Sequence, residues 1–332
     1  MQTRSYTPAL ESLGHTAALD QRATFPLLGV PLELRSNSAA VIAAAERAFG
    51  GWRGLAPELI EPSAPCVVNL IVHPVEDSAP PANGAPPFIQ RIHSNCFLAS
   101  DGANLLTAQY DQGWALGFIA PELLAHEARL RYSVLELLAL LLVTQHDRVP
   151  VHTGAVVHNG LAILLAGRST AGKSTLCYAC LRTGFGLLAE DVVYVSRRNG
   201  MRLWGVPWQI HLLPDAVRFF PELADVPAEI QANGKLKLAV ETTRFGADRA
   251  LRYADRAVVC VVERHAGAES VLEPIDPAAV VATLSGNRES GFDLYDGTRA
   301  VAEALAAGGA YRLLVGPDLG RAVAVLRRLA GG

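Results

Sequence analysis

Hydrophobic and polar positions fall into two regions of different pattern. In the first, PLLGVPLELRS reads as a strand, Asn37 or Ser38 is placed to cap a helix over Ala39 to Phe49, and CVVNLIVH, from Cys66 to His73, is a second strand. Pro74 to Pro87 is predicted as a loop, because proline lacks the N–H that a helix or a central strand needs. FIQRIH, NCFLAS, ANLLTAQY and WALGFIA are short β runs parted by Asp101-Gly102 and Asp111-Gln112-Gly113, which predicts an antiparallel meander. Pro121 suits the first turn of a helix, and from Glu122 to His146 the apolar spacing is helical.

The second region begins near Val149. PVHTGAVVH and LAILLAG are apolar β runs joined by Asn159-Gly160, a strong hairpin signal. A glycine-rich loop, a helix from about Lys173 to Thr183 and the apolar run LLAEDVVYV follow. MRLWGVP, QIHLL, KLKLAV, AVVCVVER and YRLLVG are further strands, and helices are expected over Asp276 to Leu284, Thr298 to Ala307 and Leu319 to Leu329.

Composition narrows the picture. In 332 residues half are hydrophobic and 18% charged, so the chain can fill a large core and about two domains are expected. The formal net charge of −3 supplies no polycationic field for nucleic acid. The N-terminal residues lack a basic stretch followed by an apolar one, and the apolar run Leu135 to Val143 is too short to span a bilayer and contains Glu136, so a cytoplasmic protein without a membrane partner is expected. Five scattered cysteines form no disulfide framework. Cys177 and Cys180 have CxxC spacing but fall inside a helix with no second pair, and are read as core thiols. His211 and His265 have no ligand-like neighbours at useful spacing; Trp204 and Trp208 either pack in the core or line a groove.

The chemistry concentrates in Gly167-Arg168-Ser169-Thr170-Ala171-Gly172-Lys173-Ser174, a complete GxxxxGK[ST] between a strand and a helix. Glycines let the backbone curl so that successive N–H groups face an anion, the helix N-terminus adds its positive end, the lysine reaches the phosphates and the hydroxyl suits Mg²⁺. Gly167, Ser169, Thr170, Ala171, Gly172, Lys173, Ser174 and Thr175 are the expected nucleotide-binding residues. Lysine is scarce: only Lys173, Lys235 and Lys237 accompany the arginines. A chance match is correspondingly rare. Seventeen residues on, Glu190-Asp191 interrupts an apolar run, where carboxylates are costly unless a metal, a cation or hydrogen bonds satisfy them. At the middle of the strand LLAEDVVYV, two adjacent carboxylates point to opposite faces, so that one can meet a metal while the other faces elsewhere or toward an acceptor hydroxyl. His152 precedes the loop by 15 residues, on the run read as pairing with the strand into the loop. Lys235 and Lys237 would share a strand face and could add phosphate contacts; Arg244, Arg249 and Arg288 are weaker candidates.

The run VHTGAVVHNGLAILLAGRSTAGKSTLCYACLRTGFGLLAEDVVYV resembles the catalytic core of the HPr kinase/phosphorylase family, in the order histidine, P-loop, helix, an RxGxxL turn (Arg182 to Leu187) and an acidic pair. The resemblance spans about residues 150 to 196, is looser through GVPWQIHLLPDAVRFFPEL and GKLKLAV, and does not reach residues 1–130. It implies an α/β (α+β) protein: a P-loop domain like that of HPr kinase and phosphoenolpyruvate carboxykinase over 131–332, preceded by a smaller α+β domain over 1–130 that could recognise the acceptor. It also implies ATP and Mg²⁺ as cofactors, with phosphoryl transfer to a serine of a protein or a precursor peptide. The family usually has Asp-Asp where this chain has Glu190-Asp191. Carried across, Glu190 would be the base, His152 its partner, and Ser174 with Asp191 the Mg²⁺ ligands. The family's later segment, associated with the reverse reaction, has no clear copy, which implies a kinase without phosphorylase activity. A small-molecule kinase on the same fold and a nucleotide-binding regulator without catalysis are the alternative readings, and a homo-oligomer is compatible with the sequence.

Overall fold

The computed structural model describes residues 18–73, 89–93, 95–198, 200–230, 235–286, 295 and 297–331. The predicted loop Pro74 to Pro87, Asn233, Gly234 and Arg288 lie outside the described residues. The chain divides into two compact units, Met1–His146 and Asp147–Gly332. Residues 131–146 therefore belong to the first unit and not, as expected, to the second.

The first unit is built on strands β1 (Gln21–Leu27), β2 (Val30–Ser36), β3 (Cys66–Val72), β4 (Ile89–His93), β5 (Cys96–Ser100), β6 (Leu105–Gln109) and β7 (Trp114–Ile119), in the sheet order β1-β2-β3-β7-β6-β5-β4. Strands β7 to β4 form the predicted meander, whereas β2, β3 and β7 run parallel. Helix α1 (Ala39–Phe49) makes the crossover from β2 to β3. Neither Asn37 nor Ser38 caps it through a side chain. Asn37 instead ties its amide to both backbone groups of Val72, at 2.9 Å each. The expected strand PLLGVPLELRS is a hairpin: Leu28 and Gly29 take φ of 51° and 78°, which reverses the chain between β1 and β2. The expected long helix after Pro121 is segmented, with 3₁₀ geometry over Pro121–Ala125, α2 (Glu127–Leu130), a π-helical stretch over Arg131–Glu136 and α3 (Leu137–Val143).

The second unit contains β8 (Val149–His152), β9 (Gly154–His158), β10 (Leu161–Ala166), α4 (Lys173–Arg182), β11 (Gly186–Ala189), β12 (Val192–Ser196), β13 (Arg202–Gly205), β14 (Gln209–Leu212), β15 (Ala228–Ile230), β16 (Leu236–Glu241), β17 (Tyr253–Ala254), β18 (Ala257–Arg264), β19 (Val271–Pro274), α5 (Pro277–Gly286), α6 (Thr298–Ala307), β20 (Ala310–Val315) and α7 (Leu319–Gly331). Its central sheet has the order β11-β9-β10-β18-β20-β19, with β10, β18 and β20 parallel. A four-stranded sheet, β17-β13-β12-β8, and a three-stranded one, β14-β16-β15, flank it.

Both faces of the central sheet are covered, which is why its strands read as unbroken apolar runs. On β10, Ile163 and Leu165 join a core shared with α4, α7, β14 and β16; Ala162, Leu164 and Ala166 join a second core with α5, α6, β8 and β12. Two runs read as single strands are each divided between sheets. PVHTGAVVH breaks at Thr153, sending β8 to β12 and β9 to β10; LLAEDVVYV breaks at Glu190-Asp191, sending β11 to β9 and β12 to β8. His152 thus stands opposite Val192 in the four-stranded sheet, and not on the hairpin with β10. No helix among the described residues is long and apolar enough to cross a membrane.

Candidate phosphate site

The loop between β10 and α4 is shaped by left-handed backbone. Gly167, Thr170 and Gly172 have φ of 143°, 71° and 97°. A β-carbon on Gly167 would also stand 2.9 Å from the Val262 carbonyl oxygen, so glycine is required there on two counts. The Lys173 ammonium is buried and donates to the carbonyls of Gly167 at 2.9 Å and Arg168 at 3.2 Å, which holds the side chain inside the curl of its own loop. Arg264, at the end of β18, brings a cation to the same loop: its guanidinium would lie 3.2 Å from a β-carbon on Gly172. Arg264 carries no sign of this place in the sequence, because 91 residues separate it from Lys173 and only the parallel pairing of β10 with β18 joins them.

The acidic pair occupies the switch between β11 and β12 and does not sit on a continuous strand. Glu190 is 8% exposed, and Asp191 keeps 49% of its side chain accessible. The Ser174 hydroxyl donates to Glu190 Oε1 at 2.6 Å, and His211 Nδ1 lies 3.3 Å from Glu190 Oε2. His152 Nε2 is 3.6 Å from Asp191 Oδ1. The expected pairing of His152 with Glu190 is therefore replaced by two pairs, His152 with Asp191 and His211 with Glu190. Burial opposes ionisation of Glu190, but the His211 hydrogen bond, the positive charge of Lys237 and the Ser174 hydrogen bond outweigh it and hold the carboxyl below its ordinary range.

The sequence gives His211 no ligand-like neighbours, and the three-stranded sheet supplies them. Ile210 and Leu212 bury fully on one face of β14, so strand alternation turns His211 to the other. His211 pairs with Ala239 of β16, which places Lys237 on the same face one step along. Lys235 lies before the start of β16 and is exposed, so the two lysines do not share the strand as expected. Arg249 donates to the Gly184 carbonyl, and Arg244 contributes its charge near Tyr178. Cys177 and Cys180 are buried, and burial pushes both thiols well above their ordinary range. Trp204 is a core residue, packed by Tyr253 and covered by the guanidinium of Arg148 at 5.1 Å.

The oxygen donors suit a hard divalent cation. Ser174 and Glu190 present a hydroxyl and an ionised carboxylate 2.6 Å apart beside the glycine-rich loop. Among the described residues no group of three or more His, Cys, Asp or Glu is placed so that it could hold a metal ion. Mg²⁺ is commonly held with as few as one or two carboxylates when phosphate oxygens complete its octahedron.

No protein-family model and no curated protein matches this chain. Among solved structures, the Hpr(Ser) kinase/phosphatase from Coxiella burnetii is similar over 55% of this chain and 87% of its own, at 13% identity and a TM-score of 0.28.

Proposed function

We propose that this chain transfers the γ-phosphoryl group of ATP, with Mg²⁺, to the hydroxyl of a serine in a protein or peptide. The observation that carries the reading is the meeting of Lys173 and Ser174, at the start of α4, with two adjacent carboxylates, one buried on Ser174 and one accessible beside a histidine. Backbone N–H groups of 167–174 and the Lys173 ammonium would cradle the phosphates. Ser174 and Glu190 would hold the metal, which when bound neutralises charge on the β and γ oxygens. Asp191, oriented by His152, would take the proton of the acceptor hydroxyl. As the acceptor oxygen bonds to the γ-phosphorus, the bond from that phosphorus to the bridging oxygen breaks and ADP departs. This reverses the roles implied by the family resemblance, in which Glu190 is the base and Asp191 the metal ligand. The reason is geometric: Glu190 is buried against Ser174 and His211, whereas Asp191 is the carboxylate an acceptor can reach.

Incubating the full chain with γ-labelled ATP, Mg²⁺ and a cell extract, followed by mass spectrometry, is expected to find phosphoserine on an acceptor. Lys173→Ala should abolish labelling, and Asp191→Asn should lower it by about 100-fold or more. ATP binding with no transfer to any acceptor would overturn the kinase reading and favour a nucleotide-binding regulator.

A further inference from the structure

We infer that His211 is a positioning residue of the phosphate site, clamping the Glu190 carboxylate against the Ser174 hydroxyl. This rests on the phosphotransferase reading and extends it to a strand outside the P-loop core. Glu190 Oε1 takes the Ser174 hydroxyl at 2.6 Å, while Oε2 faces His211 Nδ1 at 3.3 Å. An ionised carboxylate only accepts, so Nδ1 carries the proton in this contact. The strand that carries the imidazole is held in place: Ile210 and Leu212, 0% and 1% exposed, anchor β14 on either side of His211 and aim its Cα–Cβ bond to the opposite face. Lys237, on the same face of the adjoining β16, adds positive charge toward the same carboxylate.

The clamp also accounts for the glutamate. An aspartate at the β11–β12 switch would end about 1.5 Å short, one C–C bond. It could not span Ser174 and His211 at once from the same backbone. The longer side chain is thus matched to a histidine delivered from a different sheet.

The test is calorimetric titration of ATP into the full chain, once with Mg²⁺ and once with EDTA, which separates the metal-dependent part of binding from the phosphate cradle. Lys173→Ala should weaken binding in both buffers. His211→Ala should leave the EDTA value unchanged and cut the gain from Mg²⁺ by about 10-fold, the size of effect seen when the support of a metal ligand is removed. His211→Asn puts an amide N–H where Nδ1 stands and should retain most of the gain. His211→Gln carries its amide one bond further and should not, a contrast that stays readable if the alanine variant folds poorly. A wild-type gain in both the alanine and glutamine variants, or equal losses in the asparagine and glutamine variants, would overturn the role of His211. Failure of the wild type to bind ATP in either buffer would overturn the phosphotransferase reading itself.

Discussion

Glu190 shows how a buried charge is stabilised by its partners. Its carboxyl sits below the ordinary range because a hydrogen bond from His211, the charge of Lys237 and a hydrogen bond from Ser174 exceed the cost of burial. A depressed folded-state pKa contributes stability that is present above the unfolded value of about 4.3 and is lost as the pH falls through the folded value. Glu190→Gln should therefore show a shallower fall in melting temperature than the wild type below about pH 4.3. Equal slopes in the two proteins would contradict the assignment. At this scale Lys173, Ser174 and the acidic pair were legible in the sequence because each belongs to a contiguous motif. His211 was not: a histidine flanked by leucines and isoleucine gives no signal of a carboxylate 21 residues away that approaches from another sheet.

The elements most informative about the site are those that break. The period-two pattern marks which face of a strand is buried, but it does not register a change of partner when both halves are buried. PVHTGAVVH and LLAEDVVYV therefore read as single strands, while the structure divides each between two sheets. The two breaks meet at Gly154, where a β-carbon would lie 2.9 Å from Cys177 Sγ and 3.0 Å from the Glu190 carbonyl oxygen. Gly154→Ala should force the Glu190 switch away from α4. We expect a loss of about 1–3 kcal/mol, read by denaturant unfolding, together with weaker Mg²⁺-dependent ATP binding. Wild-type values for both would show that the switch has room to spare. Helices were more legible: α1 and α6 begin and end where their apolar spacing predicted, because each buries one stripe against a sheet. The segment after Pro121 has the same apolar spacing but departs from it, and its π-helical stretch from Arg131 to Glu136 leaves no distinct mark in the sequence.

At the scale of the whole molecule, all the site residues lie in Asp147–Gly332, whose central sheet is covered on both faces by its own helices and strands. A chain of residues 147–332 should melt cooperatively and bind ATP with an affinity close to that of the full protein, measurable by circular dichroism and calorimetry. Loss of cooperative melting would show that the first unit is needed for the core of the second. The sequence by itself determined the glycine-rich loop before α4, the carboxylates that follow it and most of the helices, since these depend on neighbours in the chain and on one local periodicity. Tertiary structure alone decided the unit boundary at His146, the division of two apolar runs between sheets, and the partners of the acidic pair. Those follow from which strands pair across long separations, and pairing depends on the packing of whole faces, which no local stretch of residues encodes.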